Sequence, residues 1–323
     1  MPDLQKLSKI ALSSLLAREN KYSSLIQKQL LNALTTIYGE MTKIYKKYAK
    51  DGKLTKVEMT KYNKYSTMEK DILSKIDPAI KANIQTIKKL LPSQFQESFY
   101  HYAWALDEAV QVNLSWGMVN TKVLLAPFDI TNPKNIELQQ ALKNYGPTAK
   151  KRIQKAMLDG LTLGKSYDQM ARDLKKAMNK IYSSAITIVR TEGQSAINAG
   201  QTLVYNRAIE NGVNGKEIWN ATKDARTRYD HRHADGTERN KDGYFEVGGE
   251  LALYPGDPNL SAENRINCRC EIIFVIDGYE PELMRTREEG IIEYSNYDNY
   301  VKRYHPDWED KEIKSIAKKL KEV

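Results

Sequence analysis

The chain has 323 residues, 41% of them hydrophobic, and a formal net charge of +9. That length fits one large domain or two to three smaller ones with real apolar cores. No apolar run of about 18 residues occurs, so no transmembrane helix is expected, and two cysteines in so long a chain exclude a disulfide framework and point to a reducing cytosol.

The charge is uneven. Residues 1–125 carry 19 Lys+Arg against 11 Asp+Glu, residues 126–218 carry 14 against 8, and residues 219–323 carry 17 against 22. A basic helical region of this kind attracts nucleic acid or an acidic protein surface, or is simply a solvated Lys-rich face.

In chain order, residues 4–48 read as helix. Leu4, Leu7, Ile10 and Ala11 make one stripe, and Tyr22, Ile26, Leu30, Ala33, Ile37, Met41, Ile44 and Tyr48 make another at steps of three and four. The start reads as an amphipathic helix and not as a signal peptide. The gap near Glu19-Asn20 is a break or a weak turn. Asp51-Gly52 stops the helix, because Gly accepts the left-handed backbone of a C-terminal cap. Thr55 and Glu58 then form a capping box for a second helix, which Asp77-Pro78 interrupts near Ile76, giving an antiparallel hairpin. "DGKLTKVEM" lacks the alternating ligands of a calcium loop.

A further helix covers about 79–91. Another follows Pro92 with Ser93 as its cap and Phe95, Phe99, Tyr102, Leu106 and Val110 on one face. His101 and Trp104 fall in that aromatic region, His101 as a packing or surface residue. "APFDITNPKN", 126–135, reads as a boundary loop. Helices resume over 135–144, over 147–159 after Gly146-Pro147, over 166–178 behind an N-cap Ser166, and over 181–211 up to Asn211-Gly212. Met170, Leu174 and Met178 are core residues. The small residues of "GQSAINAG" allow close packing by another helix.

Beyond Trp219 the texture changes. "KEIWNAT", "YFEVGGE" and "CEIIFVI" read as short strands separated by Gly, Asp, Asn and Pro, and "WEDKEIKSIAKKLKEV" returns to amphipathic helix. The expected fold is mainly α, with a long N-terminal helical hairpin or bundle and a small α+β C-terminal module. The expected divisions are a basic helical arm or bundle over 1–125, a helical domain over 126–218, the α+β module over 219–276 and a tail with a terminal helix over 277–323.

Both cysteines lie in "NRINCRC", and upstream "WNATKDARTRYDHRHADG" concentrates His, Arg and Asp. Cys268 and Cys270 offer two thiolates and His231 or His233 an imidazole. Zinc takes four such ligands, and Asp235 or Asp257 is a candidate fourth. The competing reading sends Cys268 and Cys270 into the strand "CEIIFVI" as a buried pair, since residues i and i+2 share a face. Asp224, Arg226 and Arg228 suit a buried salt-bridge network. An enzymatic reading has His231 with Asp230 or Asp235 as general base and Cys268 or Cys270 as nucleophile, but no oxyanion hole, triad order or phosphate loop is recognisable. A nuclease would place His and Arg at phosphate, against the net acidity of this region.

Taken in order, Arg190-Thr191-Glu192, Trp219, Asp224, Arg226-Thr227-Arg228, His231, Asp235-Gly236 and Asn267-Cys268-Arg269-Cys270 resemble the phage head morphogenesis or minor head proteins of the Mu F type, over about residues 145–276. The resemblance implies a minor structural protein of a tailed-phage head: made in the host cytoplasm, held inside the capsid in low copy number, associated with the portal, and acting in head assembly or in DNA packaging or ejection. Double-stranded DNA would lie against the basic N-terminal region. Some members carry a C-terminal toxin or nuclease domain, for which residues 277–323 are too few. The alternatives are a DNA-processing nuclease and a non-specific DNA-binding protein.

Overall fold

A computed structural model describes residues 3–61, 64–114, 116, 136–278, 283–286, 289 and 291–306. Its helices are α1 (Leu4–Tyr48), α2 (Lys56–Lys61), α3 (Tyr65–Val110), α4 (Ile136–Thr162), α5 (Tyr167–Glu210), α6 (Tyr229–Ala234), α7 (Ala262–Arg265) and α8 (Tyr297–Tyr304). Its strands are β1 (Gly215–Asn220), β2 (Phe245–Val247), β3 (Glu250–Ala252), β4 (Glu271–Ile276), β5 (Leu283–Arg285) and β6 (Ile291–Glu293). They pair antiparallel as β1–β4, β2–β3 and β5–β6. The fold is therefore mainly α with a small strand-bearing C-terminal part, as the periodicity predicts. The expected boundary loop over 126–135 and the expected terminal helix over 308–323 lie outside the described residues.

The chain forms two compact units. One joins Leu16–Gln94 and Thr121–Gly193; the other joins Met1–Leu15, Phe95–Asn120 and Gln194–Val323.

In the first unit, the core takes Ile26, Leu30, Ile37 and Met41 from α1 and Ile72, Ile76 and Ile87 from α3. Ile153, Met157 and Leu161 of α4, and Met170, Leu174, Met178 and Ile181 of α5, complete it. Tyrosines at its edge donate to backbone carbonyls: Tyr38 to Ala171 O at 2.9 Å and Tyr45 to Lys165 O at 2.9 Å. Thr55 and Ser166 act as the N-caps the sequence predicts, while the Glu58 carboxylate, expected to complete a capping box, pairs with Lys50 at 3.5 Å. Glu58 N donates to Thr55 Oγ1. Ser166 and Gln169 exchange backbone-to-side-chain bonds reciprocally, closing the start of α5.

The predicted breaks at Asp77-Pro78, Pro92 and Gly146-Pro147 do not occur. Pro78 and Pro92 lie inside α3 and Pro147 inside α4. An interior proline costs roughly 3 kcal/mol. Ile76 and Ile80, Leu91 and Phe95, and Tyr145 and Ala149 are buried on either side of the three prolines, and each large apolar side chain contributes about 1.5–3 kcal/mol. Packing outweighs the lost backbone bond. α1 is also continuous through Glu19-Asn20, and α5 is one helix across 178–181.

Glu19 itself is buried. A Cβ at Gly193 would stand 3.3 Å from its Oε2, so the glycine leaves room for the carboxyl. Burial pushes the carboxyl up to about 7, against the pull of Arg190. A folded-state value above the unfolded one means that the native state holds the proton more tightly. The stabilisation is complete below the ordinary value near 4.5 and is lost as pH rises through about 7. Glu19→Gln, which mimics the protonated acid, is expected to gain up to about 3 kcal/mol over the parent at pH 8 and almost nothing at pH 4. Urea unfolding at the two pH values measures this, and an equal gain at both would show that Glu19 does not titrate there.

In the second unit, Phe99, Tyr102 and Leu106 of α3, Tyr205 of α5 and Phe274 of β4 form the apolar centre. Tyr205 stacks on Phe274 with ring centroids 4.7 Å apart. Trp104, off the face that these residues share, is exposed, and His101 stands 3.7 Å from Glu97 at the surface. Gly200 is where α5 and α3 meet backbone to side chain. A Cβ there would sit 2.7 Å from Phe95 O and 2.8 Å from Ser98 Cβ, and Ser98 Oγ donates to Ile197 O at 2.6 Å. The small residues of "GQSAINAG" thus do admit a close neighbour.

Residues 283–306 add the β5–β6 hairpin and α8. Asn296 caps α8 by accepting from Asn299 N, and Tyr297, Tyr300 and Val301 are buried.

Candidate functional site

Strand β1 pairs with β4 in the register Trp219↔Ile272 and Asn220↔Glu271. A sheet of two strands leaves open edges whose carbonyls need partners, and α5 supplies them on one side. Gln194 Nε2 and Asn198 Nδ2 donate to Cys270 O at 3.2 and 2.9 Å, Asn198 Nδ2 also reaches Pro255 O at 2.7 Å, and Gln201 Nε2 donates to Ile272 O at 2.7 Å. These three amides were not singled out from the sequence. Their signal is a polar stripe at i, i+4 and i+7 among small residues.

The other edge of β1 receives the end of the α6 loop. Trp219 N donates to Thr237 O and Gly236 N to Trp219 O. Gly236 turns there with φ 79°, a conformation that favours glycine. Trp219 is fully buried, edge-on to Phe245 at 5.5 Å and to His231 at 5.8 Å.

Asp224 gathers the loop before α6. It accepts from Arg226 N at 3.0 Å, from Arg226 Nη2 at 3.2 Å and from both terminal nitrogens of Arg269. Burial alone would raise this carboxyl, but the Arg269 guanidinium and the Arg226 bonds hold it well below the usual carboxylate range. Arg228, expected in the same salt-bridge network, instead donates to Ile266 O. Arg269, which was not expected there, takes its place.

Asp235 is the second organiser. Its Oδ1 accepts from Ala221 N and from the buried Lys223 ammonium, each at 2.6 Å, and its Oδ2 accepts from Tyr297 N at 2.5 Å. Tyr297 Oη also donates to Asp224 O at 2.9 Å. The segment 283–306, which carried no recognised motif, is therefore bonded to both aspartates of the motif region. Asp257 folds its own loop, accepting from Leu253 N and Asn259 N. Neither Asp235 nor Asp257 joins the cysteines. Arg190 and Glu192 lie in the other compact unit.

The cysteines do not enter the strand, because β4 begins at Glu271. They lie in the extended approach to it, and the two-residue spacing still has its effect. Cys268 and Cys270 both face His231, while Arg269 between them reaches Asp224. His231 Nδ1 stands 3.3 Å from Cys270 Sγ and 3.6 Å from Cys268 Sγ. All three side chains are buried, and His231 Nε2 has no hydrogen-bond partner. A hydrogen bond from Cys270 lowers the Cys268 thiol, aided by Arg228 and Arg269 and opposed by burial. Burial and the neighbouring Cys268 push Cys270 well up. His233 is exposed and its Nδ1 lies 3.0 Å from Tyr229 O, away from this cluster.

Residues 151–273 match the family described as Phage Mu protein F like protein. Together with the relative below, this match supports a minor head family of the Mu F type. It is 29% identical over 289 residues to "Minor head protein GP7" of Bacillus phage SPP1, covering 86% of this chain and 91% of that protein. It is also 29% identical over 219 residues to "NAD(+)--arginine ADP-ribosyltransferase EFV" of Enterococcus faecalis, covering 67% of this chain, and 28% identical over 138 residues to "Uncharacterized protein YqbB" of Bacillus subtilis, covering 40%. The matched part is 44% of the length of each of these last two proteins. No solved structure matches the chain.

Proposed function

We propose that the chain is a minor structural protein of a tailed-phage head, held inside the capsid, associated with the portal, and acting in head assembly and in DNA packaging or ejection. The observation that carries this reading is the extent of the likeness to the SPP1 minor head protein. At 86% of this chain and 91% of that protein, it takes in helical segments outside the Mu F-like region as well. The basic N-terminal region faces DNA: Lys43, Lys46, Lys47 and Lys50 are all exposed near the end of α1. The role is structural and not enzymatic. A nuclease needs a group that meets a phosphodiester arriving from solvent, and His231 and both thiols are buried. The transferase named among the relatives extends well beyond the matched part, so its activity is not carried over.

The test is affinity capture of the co-expressed portal by the tagged full chain after nuclease treatment, together with mass spectrometry of purified heads. Capture and presence in DNA-filled heads are expected; absence from both would overturn the reading. For the DNA contact, retention on double-stranded DNA should weaken steeply with salt, and Lys43→Gln/Lys46→Gln/Lys47→Gln should flatten that dependence. Unchanged retention in this variant would remove α1 as the DNA-facing element. Deleting residues 1–125 is not a usable test, because both compact units draw on them.

A further inference from the structure

We propose that His231, Cys268 and Cys270 form a metal site that takes one zinc ion through Nδ1 and the two Sγ atoms.

The distances carry the assignment. In a tetrahedron with Zn–S near 2.3 Å and Zn–N near 2.05 Å, the S···N edges are about 3.5 Å and the S···S edge about 3.8 Å. The two S···N distances here are 3.3 and 3.6 Å, and all three donor atoms lie within 4.8 Å of one another. The atoms already stand near the corners a bound ion would require.

Hydrogen bonding accounts for only part of this convergence. One ring nitrogen has one lone pair or one N–H, so Nδ1 serves one sulfur well, and the second sulfur falls back on its neighbouring thiol. A cation at the centre engages all three donors directly. The donor set, two soft sulfurs and an imidazole, selects zinc over magnesium or calcium. Charge also balances, since two thiolates neutralise the ion. The fold also holds the backbone that carries the two cysteines. The Cys270 carbonyl is held by Gln194 and Asn198, and Arg269 is locked on Asp224, so the ligand-bearing backbone is fixed from both sides. The ion would clamp α6 to the approach to β4 across a separation of 37 residues in sequence, and its binding free energy would add to folding. Among the described residues no fourth side chain joins the cluster.

The experiment uses the full chain, reduced and stripped of metal, titrated with Co2+ and then with Zn2+. The expected result is a thiolate-to-cobalt charge-transfer band with tetrahedral d–d bands, saturating at about one equivalent and displaced by zinc. Cys268→Ser, Cys270→Ser and His231→Ala should each weaken cobalt binding by at least about tenfold. Should a variant fail to fold by circular dichroism, the unaltered chain still decides: one equivalent of zinc should protect both thiols from alkylation. No band, with thiol reactivity unaffected by zinc, would return the cysteines to a hydrogen-bonded core pair. A band that survives in the folded variants would place the metal elsewhere and overturn the assignment.

Discussion

Asp235→Ala is expected to destabilise the second unit by about 3–5 kcal/mol, the cost of removing one partner from a buried ion pair. The Lys223 and Asp235 side chains are 6% and 1% exposed. Truncating the carboxylate strands the ammonium away from water. It also removes the acceptor for two backbone N–H groups, those of Ala221 and Tyr297, each of which is costly to leave unpaired. The remaining acceptors for Lys223 Nζ are Asn220 Oδ1 and Ala221 O, both at 3.1 Å and neither charged. A double-mutant cycle separates the contributions. In Asp235→Ala/Lys223→Met the stranded cation is gone, so the double variant should be more stable than Asp235→Ala alone. Urea unfolding with hydrogen exchange at the amides of β1 and Tyr297 reads both effects. Strict additivity of the two single changes would show that the pair is not coupled and that Asp235 acts through its backbone bonds alone.

Trp219→Ala is the second large effect, a loss of about 3–5 kcal/mol from emptying a closed site. The indole is fully buried between Phe245 and His231, and its strand is bonded on one side to β4 and on the other to the Gly236 turn. Trp219 Nε1 is also buried without a hydrogen-bond partner. Trp219→Phe therefore removes an unpaired donor along with the volume, and its cost should fall well below that of alanine. Denaturation curves for the two variants give the comparison. Equal losses for Phe and Ala would mean that the full indole shape is needed; a loss under about 1 kcal/mol for Ala would mean that the site collapses around the change.

These two residues explain why the motif that carries the family resemblance has its particular composition. Trp219 is the apolar centre of the module. Asp224 and Asp235 fasten the loop between β1 and α6, one to Arg269 and the other to Lys223. Gly236 makes the turn that returns the chain to β1. Most of the motif thus builds the fold, and His231 with the two thiols is left as the part with chemistry to spare. Asp224 adds a pH dependence of known sign. Its lowered carboxyl contributes stability above the ordinary carboxylate range, and that contribution is lost as pH falls through the folded value.

The sequence by itself determined what depends on near neighbours. Apolar spacing at three and four marked the long helices, Thr55 and Ser166 announced their caps, and Asp51-Gly52 and Asn211-Gly212 announced their ends. β-branched runs marked β1 and β4, and the spacing of Cys268 and Cys270 put both thiols on one side. Each rests on interactions within about one helical turn or one strand pleat. Only the tertiary structure decided whether Pro78, Pro92 and Pro147 would break their helices, because that depends on how much apolar surface is buried on either side. It also decided that the compact units combine distant segments, that α5 satisfies the β4 carbonyls, and that Tyr297 closes on Asp235. It excluded Asp235 and Asp257 from the cysteine cluster, since backbone N–H groups had already taken their oxygens. A buried polar group must find a partner somewhere, but the choice among partners far away in the chain is made by packing, which no local pattern records.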